Sequence, residues 1–539
     1  MTVDVQDSPT APQARGIRQT MSDLHIWTGL LLGWFLFAMF LTGTVSYFKE
    51  ELSQWMRPEI AHQAATPEPA VVAGRIAKEL DTLAAGTSQW SLRLTDDRHS
   101  VADAFWRLPA KEGARRAFKS AVFDPQTGEK VVAARETLGG EFFYRFHFQF
   151  HYMPVLWGRW LAGLAAMFML VAIVSGVITH KKIFADFFTL RRGKGQRSWL
   201  DGHNALAVLS LPFHLMITYT GLITLMTVYM PWAVDANFGG RDAFFAELFP
   251  REAKVEPLGQ AATPPALAAL LPVAARQWGE GHAASVVVDQ PGDAAMRITL
   301  RRDSGDRIAD SGEPLRFDAR GTLLGEAPQR SATVYTRDGM IGMHAGRFAP
   351  TAMRWLFFLS GVAGTLMVAT GLVLWTVKRR EQLPDPARPH LGFRIVERLN
   401  IGFVAGLPVA MLAFLWGNRL LPAALEQRSK AEISVFFAAW AVCLVHATLR
   451  LPRRAWVEQL ACAGVLAVLL PVFNVAAWHG GMFTAFATGD LAKGGIDVGL
   501  LLIGAGLLWA ARRVNRHVPA QRRVRAPRAS AATATGPGA

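Results

Sequence analysis

Eight apolar runs, almost free of charge, limit what this chain can fold into. They cover Leu24 to Phe48, Leu161 to Thr179, Ala205 to Met230, Trp355 to Val377, Ile401 to Asn418, Ile433 to Thr448, Leu460 to Trp478 and Val498 to Ala511. A helix crossing a hydrocarbon core of about 30 Å needs about 20 such residues. The first four runs meet that length; the last four are shorter, and Val498 to Ala511 is the shortest. A soluble globular enzyme is a poor match for this pattern, and the 539 residues exceed one ordinary domain.

Positive charge orders the runs. Lys and Arg gather at Arg15 and Arg18, at Lys181, Lys182, Arg191, Arg192, Lys194 and Arg197, at Lys378 to Arg380, at Arg450, Arg453 and Arg454, and in seven arginines from Arg512 to Arg528. Eight spans with a cytoplasmic N-terminus put every one of these clusters on the cytoplasmic side, as the positive-inside rule requires. Seven spans would export the Arg-rich tail. Arg419, Arg428 and Lys430 fall on the outer side as the exception. The net charge of +15 is thereby explained by topology, and nucleic acid is not an expected partner. Cys443 and Cys462, the two cysteines, fall inside expected spans and read as small apolar residues. The first run is too long for a signal-peptide core and lacks a small-residue cleavage site, so it reads as an uncleaved helix.

The chain repeats itself. His25 precedes Thr42-Gly43 by the interval that separates His203 from Thr220-Gly221, an offset of 178 residues. Arg159-Trp160 before Ser175-Gly176 likewise matches Arg354-Trp355 before Thr370-Gly371. Each half is a helix, a large outer segment and a returning helix. In the outer segments, Val71 to Leu83 and Ala266 to Trp278 read as amphipathic helices. The first is followed by strand-like runs at Trp90 to Leu94, Val101 to Leu108 and Phe118 to Phe123, the second by runs at Ala284 to Val288, Ala295 to Leu300 and Leu315 to Phe317.

The expected fold is therefore a polytopic α-helical membrane protein of about eight transmembrane helices with two small α+β periplasmic domains. Its segments are a cytoplasmic tail (1–22), a first span (23–48), a first outer domain (49–145), a second span (146–180), a basic cytoplasmic loop (181–199), a third span (200–230), a second outer domain (231–343) and a fourth span (344–380). A C-terminal membrane region of about four helices (399–512) and an Arg-rich cytoplasmic tail (513–539) follow. The expected location is a bacterial inner membrane, multi-pass, with both termini cytoplasmic and the lipid bilayer as constant partner.

Seven of the 14 histidines lie in or beside the first four spans, where ionisable groups are costly and mark function. Topology puts His25, His180 and His203 at the cytoplasmic end, and His147, His151 and His344 at the outer end. On an unbroken helix His214 lies about 16 Å beyond His203 at nearly the same phase. Facing imidazoles on neighbouring helices supply the two axial nitrogens of a haem, and two layers of histidine imply two haems. The cytoplasmic pair is His25 with His203. The outer set is His344 with His147 or His151, and His214 is a further candidate. Gly43 and Gly221, each 18 residues from its histidine, fall on that histidine's face about 27 Å away on an ideal helix, as small residues at the other haem. Arg159 and Arg354 read either as interfacial anchors or as partners of haem propionates.

Each histidine taken alone reads as a hydrogen-bonding or proton-relay residue; the repetition favours ligation. His180, His446 and His479 read as structural. No carboxylate or cysteine joins the histidines within the bilayer, which favours haem over a bare zinc or iron ion. No dinucleotide fingerprint, P-loop or nucleophile elbow occurs, so an unidentified electron donor binds elsewhere.

Leu24-His25, Ser175-Gly176 ahead of His180-Lys181-Lys182, Leu211-Pro212-Phe213-His214 and Met343-His344-Ala345-Gly346-Arg347 together resemble the PepSY-associated transmembrane helix family. That family includes iron-regulated inner-membrane proteins and siderophore reductases of the ferrioxamine type. The likeness runs from about Met21 to Arg380. It implies a four-helix core holding two haem b groups, periplasmic PepSY-like domains, and reduction of a periplasmic ferric siderophore so that iron is released. The family's helix-end histidines fall on His25, His203, His344 and either His147 or His151. A permease for siderophore, haem or iron is the alternative that the internal repeat allows. A PepSY-type interaction or inhibitor protein is another. The segment from Ile401 onward lies outside the four-helix pattern.

Overall fold

The computed structural model describes residues 16–517 apart from 61–66, 97, 109–117, 133, 181–190, 192–194, 249–254, 280, 310–313, 326–330 and 478–480. Arg15, Lys181, Lys182, Arg192, Lys194, His479 and the arginines from Arg522 onward lie outside the described residues.

All eight apolar runs are helical. The first half opens with α1 (Ile17–Leu31) and α2 (Gly33–Ser46), followed by α3 (Lys49–Trp55), the amphipathic α4 (Pro69–Leu83), the short α5 (Gly140–Gln149) and the returning α6 (Val155–Thr179). The second half repeats this with α7 (Gln196–Leu209), α8 (Leu211–Thr224), α9 (Leu267–Gln277), α10 (Ala332–Ala345) and α11 (Thr351–Gln382). Then come α12 (Leu391–Val404) and α13 (Gly406–Leu420), which form one span, α14 (Arg428–Leu449), α15 (Pro452–Ala477) and α16 (Leu491–Arg516). Among the described residues six helices or joined helices are long and apolar enough to cross a membrane, and eight when each bent pair counts as one span. The shortest expected run, Val498 to Ala511, lies inside the 26 residues of α16.

The bent pairs correct the expectation of straight first and third spans. Helices α1 and α2 meet at 65°, and α7 and α8 at 68°. The breaks fall at Leu32 (φ −115°, ψ 9°) and Ser210 (φ −110°, ψ 19°), equivalent positions of the repeat. At Ser210 the cause is Pro212, which lacks an N–H and belongs in the first turn of a new helix. At Leu32, Gly33 follows, and a Cβ there would lie 2.7 Å from the end of the Leu372 side chain, so glycine eases the close passage of the chain over α11. The bends cancel the straight-helix distances and phases from His203 to His214, from His25 to Gly43 and from His203 to Gly221. The second and fourth spans also start later than expected, since Pro154 and Pro350 cap α6 and α11 and leave His147 and His344 on the separate α5 and α10.

Outside the spans the two α+β units appear where the sequence outlines them. Their strands are β1 (Gln89–Arg93), β2 (Ala102–Arg107), β3 (Phe118–Phe123), β4 (Ala283–Asp289), β5 (Arg297–Arg302) and β6 (Pro314–Phe317). The units are not separate bodies. β1 pairs antiparallel with β4, from Gln89 opposite Asp289 to Arg93 opposite Ser285, giving one six-stranded sheet of order β3-β2-β1-β4-β5-β6. Helices α4 and α9 bury Val72, Ile76 and Leu80, and Leu270, Leu271 and Ala274, in a common core with Trp90, Phe123, Trp278 and Phe317. Burial of each such large side chain stabilises by about 1.5–3 kcal/mol. Gly128 (φ 79°) and Gly321 (φ 81°) turn the chain after β3 and β6 at matching places, where a side chain would be strained.

The C-terminal helices pack against the first half. Phe142 of α5 stacks on Phe414 with ring centres 4.9 Å apart, and Phe142 and Phe146 meet Phe436 edge to face at 5.1 and 5.4 Å. Trp55 donates to Asp497 at 2.8 Å and lies under the Arg419 guanidinium at 3.8 Å. Two of the three outer-side basic exceptions are thereby accounted for. Arg419 bonds Asn474 and the Trp55 carbonyl, and the fully buried Arg428 pairs with Glu432. Both are interior partners whose charge is spent on hydrogen bonds, so neither acts as a topological signal. Lys430 is exposed.

Candidate functional site

Four histidines form two facing pairs. His25 of α1 and His203 of α7 have ring centres 6.2 Å apart and planes at 71°. His147 and His344, in the last turns of α5 and α10, have ring centres 6.1 Å apart and planes at 35°. Of the two outer candidates it is thus His147 that meets His344. His151 is exposed and stacks on Phe437 at 5.6 Å.

Every paired ring rests on a backbone carbonyl. Nδ1 of His25 lies 2.8 Å from the Ala172 oxygen, that of His203 2.9 Å from Met367, that of His147 2.7 Å from Met39 and that of His344 3.0 Å from Ile217. A carbonyl oxygen only accepts, so Nδ1 carries the proton in each case and Nε2 keeps its lone pair. Four residues after each carbonyl comes a glycine: Gly176, Gly371, Gly43 and Gly221. A Cβ on these would come within 3.1, 3.1, 2.7 and 2.9 Å of the same four rings. At Gly43 and Gly221 a side chain would displace the ring, and at Gly176 and Gly371 it would press on it. Before each glycine stands Ser175, Thr370, Thr42 or Thr220, whose hydroxyl bonds back to the carbonyl four residues earlier at 2.6–2.8 Å. Each seat thus presents a carbonyl and a hollow, with its hydroxyl donating inside its own helix, and the Thr220 and Thr370 oxygens also lie 3.2 and 3.4 Å from Nδ1 of His344 and His203.

The seats exchange layers. His25 and His203 rest on the returning helices α6 and α11, while His147 and His344 rest on α2 and α8. Gly43 and Gly221 belong to the layer opposite to the histidines of their own spans, as expected, although the route there is bent. Gly176 and Gly371 stand in the sequence only as markers of the repeat, not as site residues; the hydroxyl-glycine dipeptide they share with Gly43 and Gly221 is the signal of their place.

His214 is buried without a second imidazole. Its ring meets Phe40 edge to face at 5.9 Å, and Nε2 has no hydrogen-bond partner among the described residues. Arg354 is buried and bonds the Glu51 carboxylate at 3.0 Å and the Ala349 carbonyl at 3.2 Å. Arg159 lies over the Phe148 ring at 5.9 Å. His180 bonds Asn204 at 2.9 Å and His446 bonds Glu458 at 2.8 Å.

A cavity of about 2040 Å³ is lined by His147, His344, Gly43, Gly163 and Gly221 and runs up to the sheet. Arg354, Glu51 and the previously unremarked Glu50, Asp96 and His99 line it as well. His99 lies 2.7 Å from Glu50 and 2.9 Å from Asp96. Burial works against charge on all three groups. The two carboxylates nonetheless raise His99 above its ordinary 6.5, and His99 holds both carboxyls below their ordinary range.

Chemically, each pair brings two imidazoles together, each with Nδ1 on a carbonyl, and no cluster of three or more His, Cys, Asp or Glu occurs among the described residues. Comparison with known proteins agrees with the architecture. Residues 22–378 match the family described as the PepSY-associated TM region. An uncharacterized protein of Pseudomonas aeruginosa is 29% identical over 398 residues, 69% of this chain and 92% of the relative.

Proposed function

The chain belongs to the family of the PepSY-associated TM region, and from that premise we propose that it carries electrons across a bilayer to a ferric complex, such as a ferric siderophore. In this reading His25 with His203, and His147 with His344, each hold one haem b. The membrane is a bacterial inner membrane, the sheet faces the periplasm, and both termini are cytoplasmic. An unidentified donor supplies electrons from the cytoplasmic side.

The pairing of the four imidazoles carries this reading. Two imidazoles bound to one metal at about 2 Å per nitrogen have ring centres about 6 Å apart; the separations are 6.2 and 6.1 Å. A carbonyl on the far nitrogen fixes the tautomer and raises the basicity of the ligating one, as second-shell partners of metal-bound histidines do. Haem supplies reversible one-electron chemistry when bound. The protein's part is to orient Nε2, to leave glycine hollows beside the rings, and to keep water from the buried pair. Arg354 is already committed to Glu51, which favours a structural tie over a propionate contact. A redox-active layer on each side shortens a crossing too long for one electron-transfer step.

One observation favours the permease reading: the two broken spans occupy corresponding positions of the repeat. The β1–β4 pairing, which ties the halves together, opposes the rocking such a mechanism needs. The test is protein reconstituted in vesicles with dithionite inside and a ferric siderophore outside. Release of ferrous iron without entry of the siderophore is expected. Entry of the intact complex, or purified protein without low-spin haem in a reduced-minus-oxidised spectrum, defeats the proposal.

A further inference from the structure

The cavity that receives the His147–His344 pair carries, at its sheet end, a carboxylate–imidazole–carboxylate chain. Asp96 lies in the turn after β1, His99 follows it in the same turn, and Glu50 begins α3. The side chain of Asp96 is 37% exposed, while those of His99 and Glu50 are 10% and 13% exposed, so the Asp96 end meets solvent and the other two groups are largely covered. It shares its cavity with the outer pair: Glu50 comes seven residues after Gly43, the seat of His147, across the turn that separates α2 from α3. On the other side Arg98, next to His99, donates to the Tyr47 carbonyl at 3.0 Å, and the Tyr47 ring abuts Gly346, two residues after His344.

We propose that Asp96, His99 and Glu50 form a proton path into this cavity, delivering a proton to the acceptor there as it takes an electron. The proposal rests on the electron-conduit reading above. For an oxygen-ligated ferric complex the step balances as follows. One electron from the inner-side donor reduces iron(III) to iron(II), an iron–oxygen bond breaks with its pair left on oxygen, and the proton moves from His99 Nε2 through Glu50 to that oxygen. His99 regains a proton from water through Asp96. A protonated ligand oxygen no longer competes for the weaker-binding ferrous ion.

The groups around His99 suit a donor. Glu50 accepts at Nε2 and Asp96 at Nδ1, so both ring protons have a partner. Arg93 approaches Nδ1 at 3.1 Å and Glu50 at 3.5 Å, and Lys49 lies 3.3 Å from Glu50. Arg98 is paired with Glu51, which Arg354 shares. Asp303, which follows β5, lines the same cavity, and burial and the nearby Asp96 push its carboxyl up toward the neutral form. Two anions beside one imidazole stabilise its charged form, and the raised pKa keeps a proton available near neutral pH.

A purely structural clamp would use the same contacts, so the test compares two acceptors. Full-length protein in vesicles, reduced by dithionite from inside, is offered either a ferric trihydroxamate, whose ligand must be protonated on release, or ferricyanide, which takes an electron alone. His99→Gln and Asp96→Asn are expected to slow trihydroxamate reduction by about tenfold or more and to leave ferricyanide reduction unchanged. In the wild type only the trihydroxamate rate falls as pH rises through the raised His99 value. Equal slowing of both acceptors, or of neither, overturns the proton path while leaving the conduit standing. A wild-type protein that reduces neither acceptor overturns the conduit, and the path with it.

Discussion

The His25–His203 pair and the His147–His344 pair use the same seat and nearly the same separation, yet they differ in access. The first pair is absent from the lining of the large cavity, whereas the second opens into it. The first pair sits on helices that lead into the bent spans; the second rides on helices set apart by proline from the spans that follow them. The sequence buys the second arrangement differently in each half. Gly346 turns the chain after α10 without strain, but after α5 the left-handed positions are Phe150 (φ 46°) and Tyr152 (φ 58°). Such non-glycine positions cost on the order of 1–2 kcal/mol each. The Phe142, Phe143 and Phe146 face against Phe414 and Phe436 offsets that cost and fixes α5, which gives the C-terminal helices a role as a buttress for His147. A repeated ligand seat can thus be built twice with one chemistry while its exposure is set by what surrounds it.

The largest contrast is expected from the histidines. His25→Ala and His203→Ala should abolish one and the same low-spin haem signal, and His147→Ala and His344→Ala the other, read by reduced-minus-oxidised spectra with haem quantification. Retention of both haems in His147→Ala would break the pairing. A smaller and graded contrast is expected from the seats. Gly43→Ala puts a Cβ 2.7 Å from His147, and Gly176→Ala puts one 3.1 Å from His25. The former should destabilise by about 1–3 kcal/mol and lower occupancy of its haem, and the latter should do less, as thermal unfolding and haem titration would show. An equal response would mean that the rings move freely over their seats. The smallest effect belongs to His151→Ala, expected to cost no more than about 1 kcal/mol, the worth of its stacking on Phe437, and to leave the spectrum unchanged.

The spans, the repeat and the helix-strand order of both outer units were legible because each is written in local periodicity. The seats were half legible. The dipeptides Thr42-Gly43, Ser175-Gly176, Thr220-Gly221 and Thr370-Gly371 stand out in the sequence, but each ring they receive belongs to a residue 108 to 164 positions from the accepting carbonyl. Nothing local pairs them. His147 could not be separated from His151 for the same reason, since Pro154 breaks the helical phase that would have ranked them. The bend at Ser210 had a visible cause in Pro212, whereas that at Leu32 depends on the distant Leu372. The Glu50–His99 contact joins residues 49 apart in unrelated elements, and the union of the two sheets required knowing that β1 and β4 are both edges.

That union also orders the birth of the molecule. Gln89 and Asp289 are 200 residues apart, and two spans, α6 and the bent α7–α8 pair, are threaded through the membrane between them. During synthesis β1 therefore waits as an uncovered edge, a hazard for association with other chains, until the segment that carries β4 has been made. Formation of the sheet is thus a late checkpoint: it closes only in chains whose intervening spans have inserted with the right orientation, and a misinserted chain leaves both edges bare.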